Sequence, residues 1–217
     1  MISDAGVSKS SVTQLTSVLS LKACRDLRFP QLKKLVVNNC PMLKGKLPEN
    51  LPSLKDLEVF ACERLTVSIP SNQMLCSLSI RSCAEVVIKP LFQLGLLHRL
   101  TSLRELDLKG KATDMVSFPS EDEKDGRKGM MLPKSLITLR IRHFENLKKF
   151  SAGLQCLTSL QHVYIINCEK LKSLPERGLL RSLLKLEISG CKLLQKKCKR
   201  DTGPFWPRIA HIPDVRC

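Results

Sequence analysis

Apolar positions along this chain fall into a repeating block, Leu-x-x-Leu-x-Leu/Ile/Val, whose last two apolar residues are two apart. In a strand that spacing points both side chains one way and the residue between them the other way. The clearest copies are Leu54-x-x-Leu57-x-Val59-x-x-Cys62, Leu75-x-x-Leu78-x-Ile80-x-x-Cys83, Leu160-x-x-Val163-x-Ile165-x-x-Cys168 and Leu183-x-x-Leu186-x-Ile188-x-x-Cys191. Leu32-x-x-Leu35-x-Val37-x-x-Cys40 belongs to the same series, while Leu103-x-x-Leu106-x-Leu108 ends on Lys111 and Leu136-x-x-Leu139-x-Ile141 on Phe144. A first, weaker copy reads Leu19-x-Leu21-x-x-Cys24, with Thr16 in place of the leading leucine. The block thus occurs eight times, six of them ending on cysteine, and each copy predicts one short strand followed by a turn.

The terminal positions 24, 40, 62, 83, 111, 144, 168 and 191 are separated by 16, 22, 21, 28, 33, 24 and 23 residues. This is the pattern of the leucine-rich repeat, whose period is about 20 to 29 residues. The predicted fold class is an α/β repeat: an irregular leucine-rich-repeat solenoid, or horseshoe. It would carry a parallel β-sheet on its concave face and mostly loops or short helical turns outside. Later apolar positions, as in Cys168-x-x-Leu171-x-x-Leu174-Pro175 and Cys62-x-x-Leu65-x-x-x-Ile69-Pro70, close the back of the core, and proline there stops helix or sheet from continuing. Burying a Leu or Ile contributes about 1.5 to 3 kcal/mol, while each coil must order some twenty residues, so stability depends on neighbouring coils.

The expected organisation is a stub at 1–15, a solenoid of about eight repeats at 16–195 and a basic capping tail at 196–217. Between Lys111 and Leu136 the period breaks, and the run from Glu121 to Gly129 has no apolar periodicity; a mobile insertion near 112–132 is expected. The long step from Cys83 to Lys111 differs, because Val86, Val87, Leu91, Phe92, Leu94, Leu96 and Leu97 suit an ordered outer turn or short helix.

Of the 217 residues, 43% are hydrophobic and only 4% aromatic, so the interior is built from leucine, isoleucine and valine. No window holds the roughly 18 consecutive apolar residues of a membrane span, and Met1 to Ser20 lacks a basic segment followed by an apolar run. Six of the ten cysteines recur once per repeat. A thiol is small, readily buried and a weak donor, suited to a turn carbonyl. Stacked sites about 4.8 Å apart bring bridging within geometric reach, yet reduced thiols are the expectation for a cytosolic chain. There is no Cys-x-x-Cys pair, and no metal or cofactor site is expected. The net charge is +16, and residues 170–217 carry twelve Lys or Arg against four acids, including Lys196, Lys197, Lys199 and Arg200. Such a field fits a solvated face or an acidic partner.

Stacking the strands displays the residues beside the inward positions, and Glu58, Ser79, Asp107, Arg140, Tyr164 and Glu187 should form one column. An exposed column containing Phe60, Tyr164 and Ile166 beside Arg140 and Arg142 is expected and has the composition of a protein-binding face, because aromatic and arginine anchors dominate interface energetics. The alternative is an ordinary solvated sheet. The candidate partner-binding residues are Phe60, Arg81, Lys109, Arg140, Arg142, His143 and Tyr164. Catalytic readings are weaker: Glu105 and Asp107 share a strand face but sit between Arg104 and Lys109, and Cys156 and His162 lie in different parts of a coil. A non-enzymatic chain is expected.

Phe29-Pro30-x-Leu32-x-x-Leu35-x-Val37-x-x-Cys40-Pro41-x-Leu43-x-Gly45-x-Leu47-Pro48, running into Leu51-Pro52-x-Leu54, resembles the carboxy-terminal leucine-rich-repeat region of plant intracellular nucleotide-binding disease-resistance receptors. The tail is similar to that family's terminal segment: Leu193-Leu194-x-x-x-Cys198-x-x-Asp201-x-Gly203, then Trp206-Pro207-x-Ile209-Ala210-His211-Ile212-Pro213. The resemblance runs from about Leu19 to Val215. Trp206, Ile209, Ile212 and Val215 would cover the end of the last coil. The resemblance implies a cytoplasmic recognition and autoregulatory module that binds a pathogen effector or host protein and restrains the nucleotide-binding module of the parent receptor. That module is absent from this chain, which has no Gly-x-x-x-x-Gly-Lys-Ser/Thr loop and is not expected to exchange or hydrolyse a nucleotide. It therefore reads as the terminal piece of a receptor or a truncated product. The competing reading is a nucleic-acid-binding or nuclear scaffold protein, prompted by Lys196-Lys197-Cys198-Lys199-Arg200, which also fits a nuclear address; scarce aromatics and no groove-reading motif count against it. A ubiquitin-ligase adaptor would need a docking motif that is not seen.

Overall fold

In the computed structural model each inward apolar pair lies on a short strand, and the strands stack in parallel. The structure describes residues 12–16, 30–47, 51–66, 74–83, 97–110, 114–119, 132–175 and 179–217. In chain order the strands are β1 (Val12–Thr16), β2 (Lys34–Asn38), β3 (Gly45–Lys46), β4 (Asp56–Phe60), β5 (Leu65–Thr66), β6 (Ser77–Cys83), β7 (Glu105–Gly110), β8 (Ser117–Phe118), β9 (Thr138–Arg142), β10 (Lys149–Phe150), β11 (His162–Ile166), β12 (Lys185–Ser189) and β13 (Asp214–Arg216). Helices α1 (Lys192–Cys198) and α2 (Trp206–Ile209) follow β12, and 3-10 turns occur at Leu97–Arg99 and Ala152–Cys156. One nine-stranded sheet has the order β1-β2-β4-β6-β7-β9-β11-β12-β13. Two small parallel pairs, β3 with β5 and β8 with β10, form in the later halves of their coils. The chain is a leucine-rich-repeat solenoid.

The register is the one the leucines dictate. Leu35, Leu57, Leu78, Leu106, Leu139, Val163 and Leu186 lie in one row, and Val37, Val59, Ile80, Leu108, Ile141, Ile165 and Ile188 in the next. All fourteen are buried, in one continuous core with Leu43, Leu65, Leu147, Leu171 and Leu194 from the later halves of the coils.

Six strands leave the sheet through a residue in the left-handed region, placed directly before the block's terminal position: Asn39, Ala61, Ser82, His143, Asn167 and Gly190, with φ between 50 and 66°. That conformation turns the chain inward yet keeps the N–H on the sheet. Asn39 N–H donates to Phe60 O at 2.9 Å, Ala61 to Arg81 O at 3.0 Å, His143 to Ile166 O at 2.9 Å and Asn167 to Ser189 O at 2.8 Å. The cysteine that follows is buried, and its thiol donates back to the strand-end carbonyl: Cys62 to Phe60 O at 3.2 Å, Cys83 to Arg81 O at 3.4 Å, Cys191 to Ser189 O at 3.4 Å. Burial pushes the Cys83 thiol up to about 11 and raises Cys62 as well, so these sulfurs are structural and inert.

Several expectations are revised by the structure or fall outside the described residues. The first strand is Val12–Thr16, with Leu15 opposite Val37 at a regular 22-residue step; the Leu19-x-Leu21 copy lies outside the described residues, and the expected boundary after residue 15 falls inside β1. Part of the expected mobile insertion is ordered: β8 pairs with β10, and the buried Phe118 ring meets Phe150 edge-on at 6.1 Å, while residues 120–131 lie outside the described set. The reason is that a Ser-Phe pair supplies an apolar plug without repeat periodicity. The ordered segment expected between Cys83 and Leu97 lies largely outside the described residues. The boundary at 195/196 falls within α1. Finally, the tail is more than a lid. Ile209 and Ile212 are buried and Trp206 and Val215 half-buried against the core, and β13 adds a strand beside β12 with Val215 opposite Leu186.

Candidate protein-recognition surface

Because inward positions are two apart, each strand turns its first, third and fifth residues to the sheet's other face. The third-position column runs Val36, Glu58, Ser79, Asp107, Arg140, Tyr164, Glu187, Arg216, as expected. The fifth-position column runs Asn38, Phe60, Arg81, Lys109, Arg142, Ile166, Ser189. The seven candidates therefore divide. Phe60, Arg81, Lys109 and Arg142 occupy the fifth-position column on consecutive strands, and Arg140 and Tyr164 the third. His143 is not a displayed sheet residue, because its φ of 55° places it in the exit turn. Phe60 and Ile166 also share no column with Tyr164, which corrects the single aromatic column expected: Phe60 and Ile166 flank three cations instead.

Most of the arginine charge is engaged. Lys34 and Arg81 reach Glu58 at 2.6 and 3.3 Å, Arg140 reaches Glu105 at 3.5 Å, and Arg142 Nη2 binds Asp107 Oδ2. Glu105 and Asp107 are thus tied across strands, to β9, instead of to Arg104 and Lys109 in their own segment. Arg140 Cζ also lies 4.9 Å from the Tyr164 ring centroid, with Lys185 Nζ at 5.3 Å on the same ring. Lys109 has no ion pair among the described residues. His143 is held below its ordinary value by burial first and then by Lys109 and Arg142, and its Nε2 lies 3.4 Å from Asn167 Nδ2.

Five side-chain atoms on this face are buried without a hydrogen-bond partner: Asn38 Oδ1, Ser79 Oγ, Arg81 Nε, Asp107 Oδ1 and Arg142 Nε. Such atoms are rare in folded interiors because each costs desolvation that nothing returns. Sequence reasoning placed Ser79 and Asp107 in one column with Arg140 but did not name them among the partner-binding candidates.

Counting the outward positions of β2, β4, β6, β7, β9, β11, β12 and β13 gives seven cations (34, 81, 109, 140, 142, 185, 216) and six acids (56, 58, 105, 107, 187, 214). The sheet face thus holds a net +1 of the chain's +16. The basic field originates elsewhere. Part of it is the tail, where Lys196, Lys199 and Arg200 line an open cleft with Trp206. No helix among the described residues is long and apolar enough to cross a membrane.

Architecture and surface together define a repeat protein with a charge-patterned sheet face. Residues 63–199 match the family described as plant disease resistance protein RPS2-like, leucine-rich repeats, and the chain belongs to that family. It is 33% identical over 197 residues, 87% of this chain, to the putative disease resistance protein At3g14460 of Arabidopsis thaliana, covering 13% of that protein. It is 32% identical over 158 residues, 71% of this chain, to the putative disease resistance RPP13-like protein 1 of the same plant, covering 14% of it. Disease resistance protein RPS4B, also from Arabidopsis thaliana, is 26% identical over 209 residues, 90% of this chain and 17% of that protein. The chain therefore spans about one seventh of the length of these relatives.

Proposed function

We propose that this chain is the protein-recognition and autoregulatory segment of a plant immune receptor acting in the cytoplasm, and that it binds a pathogen effector or host protein through the fifth-position column. The observation that carries the reading is three adjacent cations, Arg81, Lys109 and Arg142, flanked by Phe60 and Ile166 on consecutive strands. At about 4.8 Å per strand the column spans about 19 Å, the reach of a short extended segment. The complementary partner carries a run of carboxylates bordered by apolar side chains. Lys109 offers a charge with no ion pair among the described residues, whereas Arg81 and Arg142 must exchange Glu58 and Asp107 for partner groups, which favours selectivity over raw affinity. The unsatisfied Arg81 Nε and Arg142 Nε lower the cost of that exchange. The receptor's nucleotide-binding module, which the family resemblance implies, is a second candidate partner for the same face.

Binding of the full chain to a synthetic peptide with three to four acids between leucines tests this by fluorescence anisotropy. Lys109→Glu should weaken binding about tenfold, equal to 1.4 kcal/mol, and Lys196→Glu should leave it unchanged. Unaltered binding by Lys109→Glu refutes the column. The nucleic-acid reading predicts the converse: steeply salt-dependent binding to duplex DNA, abolished at Lys196 and Lys199 and indifferent to Lys109.

A further inference from the structure

The cap brings together two thiols that the repeat does not require. Cys198 is the last residue of α1, and Cys217 follows β13 directly. Both elements pack on β12, β13 as its sheet neighbour and α1 as the helix that follows it. The result is that the Cys198 and Cys217 side chains line one open cleft of about 650 Å³. Cys198 is fully buried, while Cys217 is exposed.

The two sulfurs have distinct roles. The neighbouring Cys198 thiol holds Cys217 below its ordinary value, while Cys217 and then burial push Cys198 up. The cleft that both thiols line also presents Lys196, Lys199 and Arg200, with no acid among its lining residues. An exposed thiol favoured as thiolate, in a cationic cleft, beside a protonated buried thiol, is the arrangement of an attacking and a resolving cysteine.

The remaining thiols lack it. Cys168 and Cys191 shift each other in the same two directions, but they, Cys62 and Cys83 are fully buried in neighbouring coils, where neither sulfur of a pair is exposed to a peroxide. Cys76 is half-buried and donates to Met74 O at 3.3 Å. Cys156 is exposed but has no thiol partner among the described residues.

We propose that Cys198 and Cys217 are a peroxide-responsive oxidation site whose disulfide fastens the terminal strand β13 to helix α1. The Cys217 thiolate attacks one oxygen of a hydroperoxide, breaking the O–O bond; the leaving oxygen takes a proton and departs as water or an alcohol. The Cys198 sulfur then attacks the sulfenic sulfur, forming the S–S bond and releasing the second oxygen as water with the Cys198 proton. Two thiols lose two electrons and two protons, and one peroxide is reduced. The bond closes a loop around α2, from residue 198 to 217. β13 pairs over only three residues, the fewest in the nine-stranded sheet, and its release would uncover the edge of β12.

The full reduced chain should be treated with one equivalent of hydrogen peroxide, quenched with a thiol alkylator and weighed intact. The expected product has lost about 2 Da before alkylation, takes two fewer alkyl groups and recovers both on reduction with dithiothreitol. Cleavage before aspartates should yield the Asp214–Cys217 fragment joined to the fragment ending at Arg200. Emission from Trp206, the single tryptophan, which lines the same cleft, should change with oxidation and reverse with reduction. Cys217→Ser, at an exposed position, should unfold in urea like the reduced parent yet form no internal disulfide and show no reversible emission change. The proposal is overturned if Cys198 and Cys217 stay fully alkylatable while Cys156 is oxidised, or if Cys217→Ser forms the same internal bond.

Discussion

Replacing Arg142 by alanine should destabilise the solenoid by about 2 kcal/mol, although the residue stands at an outward position of the sheet. Asp107 has a side chain only 13% exposed and Arg142 one 27% exposed, so neither charge is fully hydrated. At an effective dielectric near 20, a pair about 4 Å apart attracts by about 4 kcal/mol, and desolvation of the two groups consumes most of that. Deleting one partner leaves the other's desolvation cost standing. For a fully buried pair this costs about 3 to 5 kcal/mol, and the residual exposure of Asp107 brings it toward 2. The contact uses only Asp107 Oδ2 and Arg142 Nη2, with Asp107 Oδ1 and Arg142 Nε unsatisfied. Removing both charges, in Asp107→Val with Arg142→Met, should therefore bring stability back within about 1 kcal/mol of the parent. Urea unfolding of the parent, both single variants and the double variant gives the coupling energy, expected at about 1 to 2 kcal/mol. A coupling below about 0.3 kcal/mol, with Arg142→Ala as stable as the parent, would mean that the pair behaves as a solvated surface contact and the reasoning fails.

Gly190→Ala should cost about 1 to 2 kcal/mol in a urea titration, because φ is +66° there and a Cβ would run into Asn167 Oδ1, displacing the side chain that contacts His143. Leu139→Asp, at a fully buried position on β9 between β7 and β11, should cost about 4 kcal/mol or more and open several coils together; limited proteolysis should show loss of the whole central region, and a persistent protease-resistant core would contradict it. Burial and the neighbouring Lys109 and Arg142 lower the folded-state pKa of His143, so the unfolded chain takes up the proton first as pH falls. Stability should therefore decline once pH drops through the ordinary histidine value near 6.5, with the loss complete below the folded value. The urea midpoint between about pH 8 and 5 should fall less in His143→Asn, which keeps a side chain suited to the left-handed turn; parallel curves would show that His143 makes no contribution.

The inward rows were legible because two facts coincide in the residues: a period of two within Leu57-x-Val59 or Leu139-x-Ile141, and a return near every twenty-second residue. Where one fact was missing, reading failed. Val12–Thr16 has threonine where later strands carry leucine, so Leu19-x-Leu21 looked the better copy even though its 16-residue step was out of period. β13 shows only Val215 between two charges, and β8 hides a single core phenylalanine in an otherwise polar insertion. A recurrent Ser-Leu dipeptide also went unused. Ser53, Ser135 and Ser182 each precede a leading leucine and donate to a carbonyl of the previous coil, Pro30, Leu103 and Leu160, at 2.6 to 2.8 Å, a coil-to-coil fastening with a sequence signature.

The charge pairing was illegible for a deeper reason. Asp107 and Arg142 are 35 residues apart, and they meet only because the intervening 33-residue coil returns its strand to the same register as shorter ones. Composition therefore misleads in one respect: it assigns the chain +16, while the ladder spends almost none of that on the sheet face. Inward leucines, left-handed exit turns and buried thiols carry the stability, and substitutions at outward positions away from such features usually change it by no more than about 0.5 kcal/mol. Outward residues are consequently free to be set by a partner, and a pair as poorly satisfied as Asp107 and Arg142 is one the fold alone does not explain. Under the proposed recognition role the division of labour is physical: a basic field away from the sheet would draw acidic molecules from a distance and weaken with salt, while a nearly neutral, patterned face would decide at contact which of them stays.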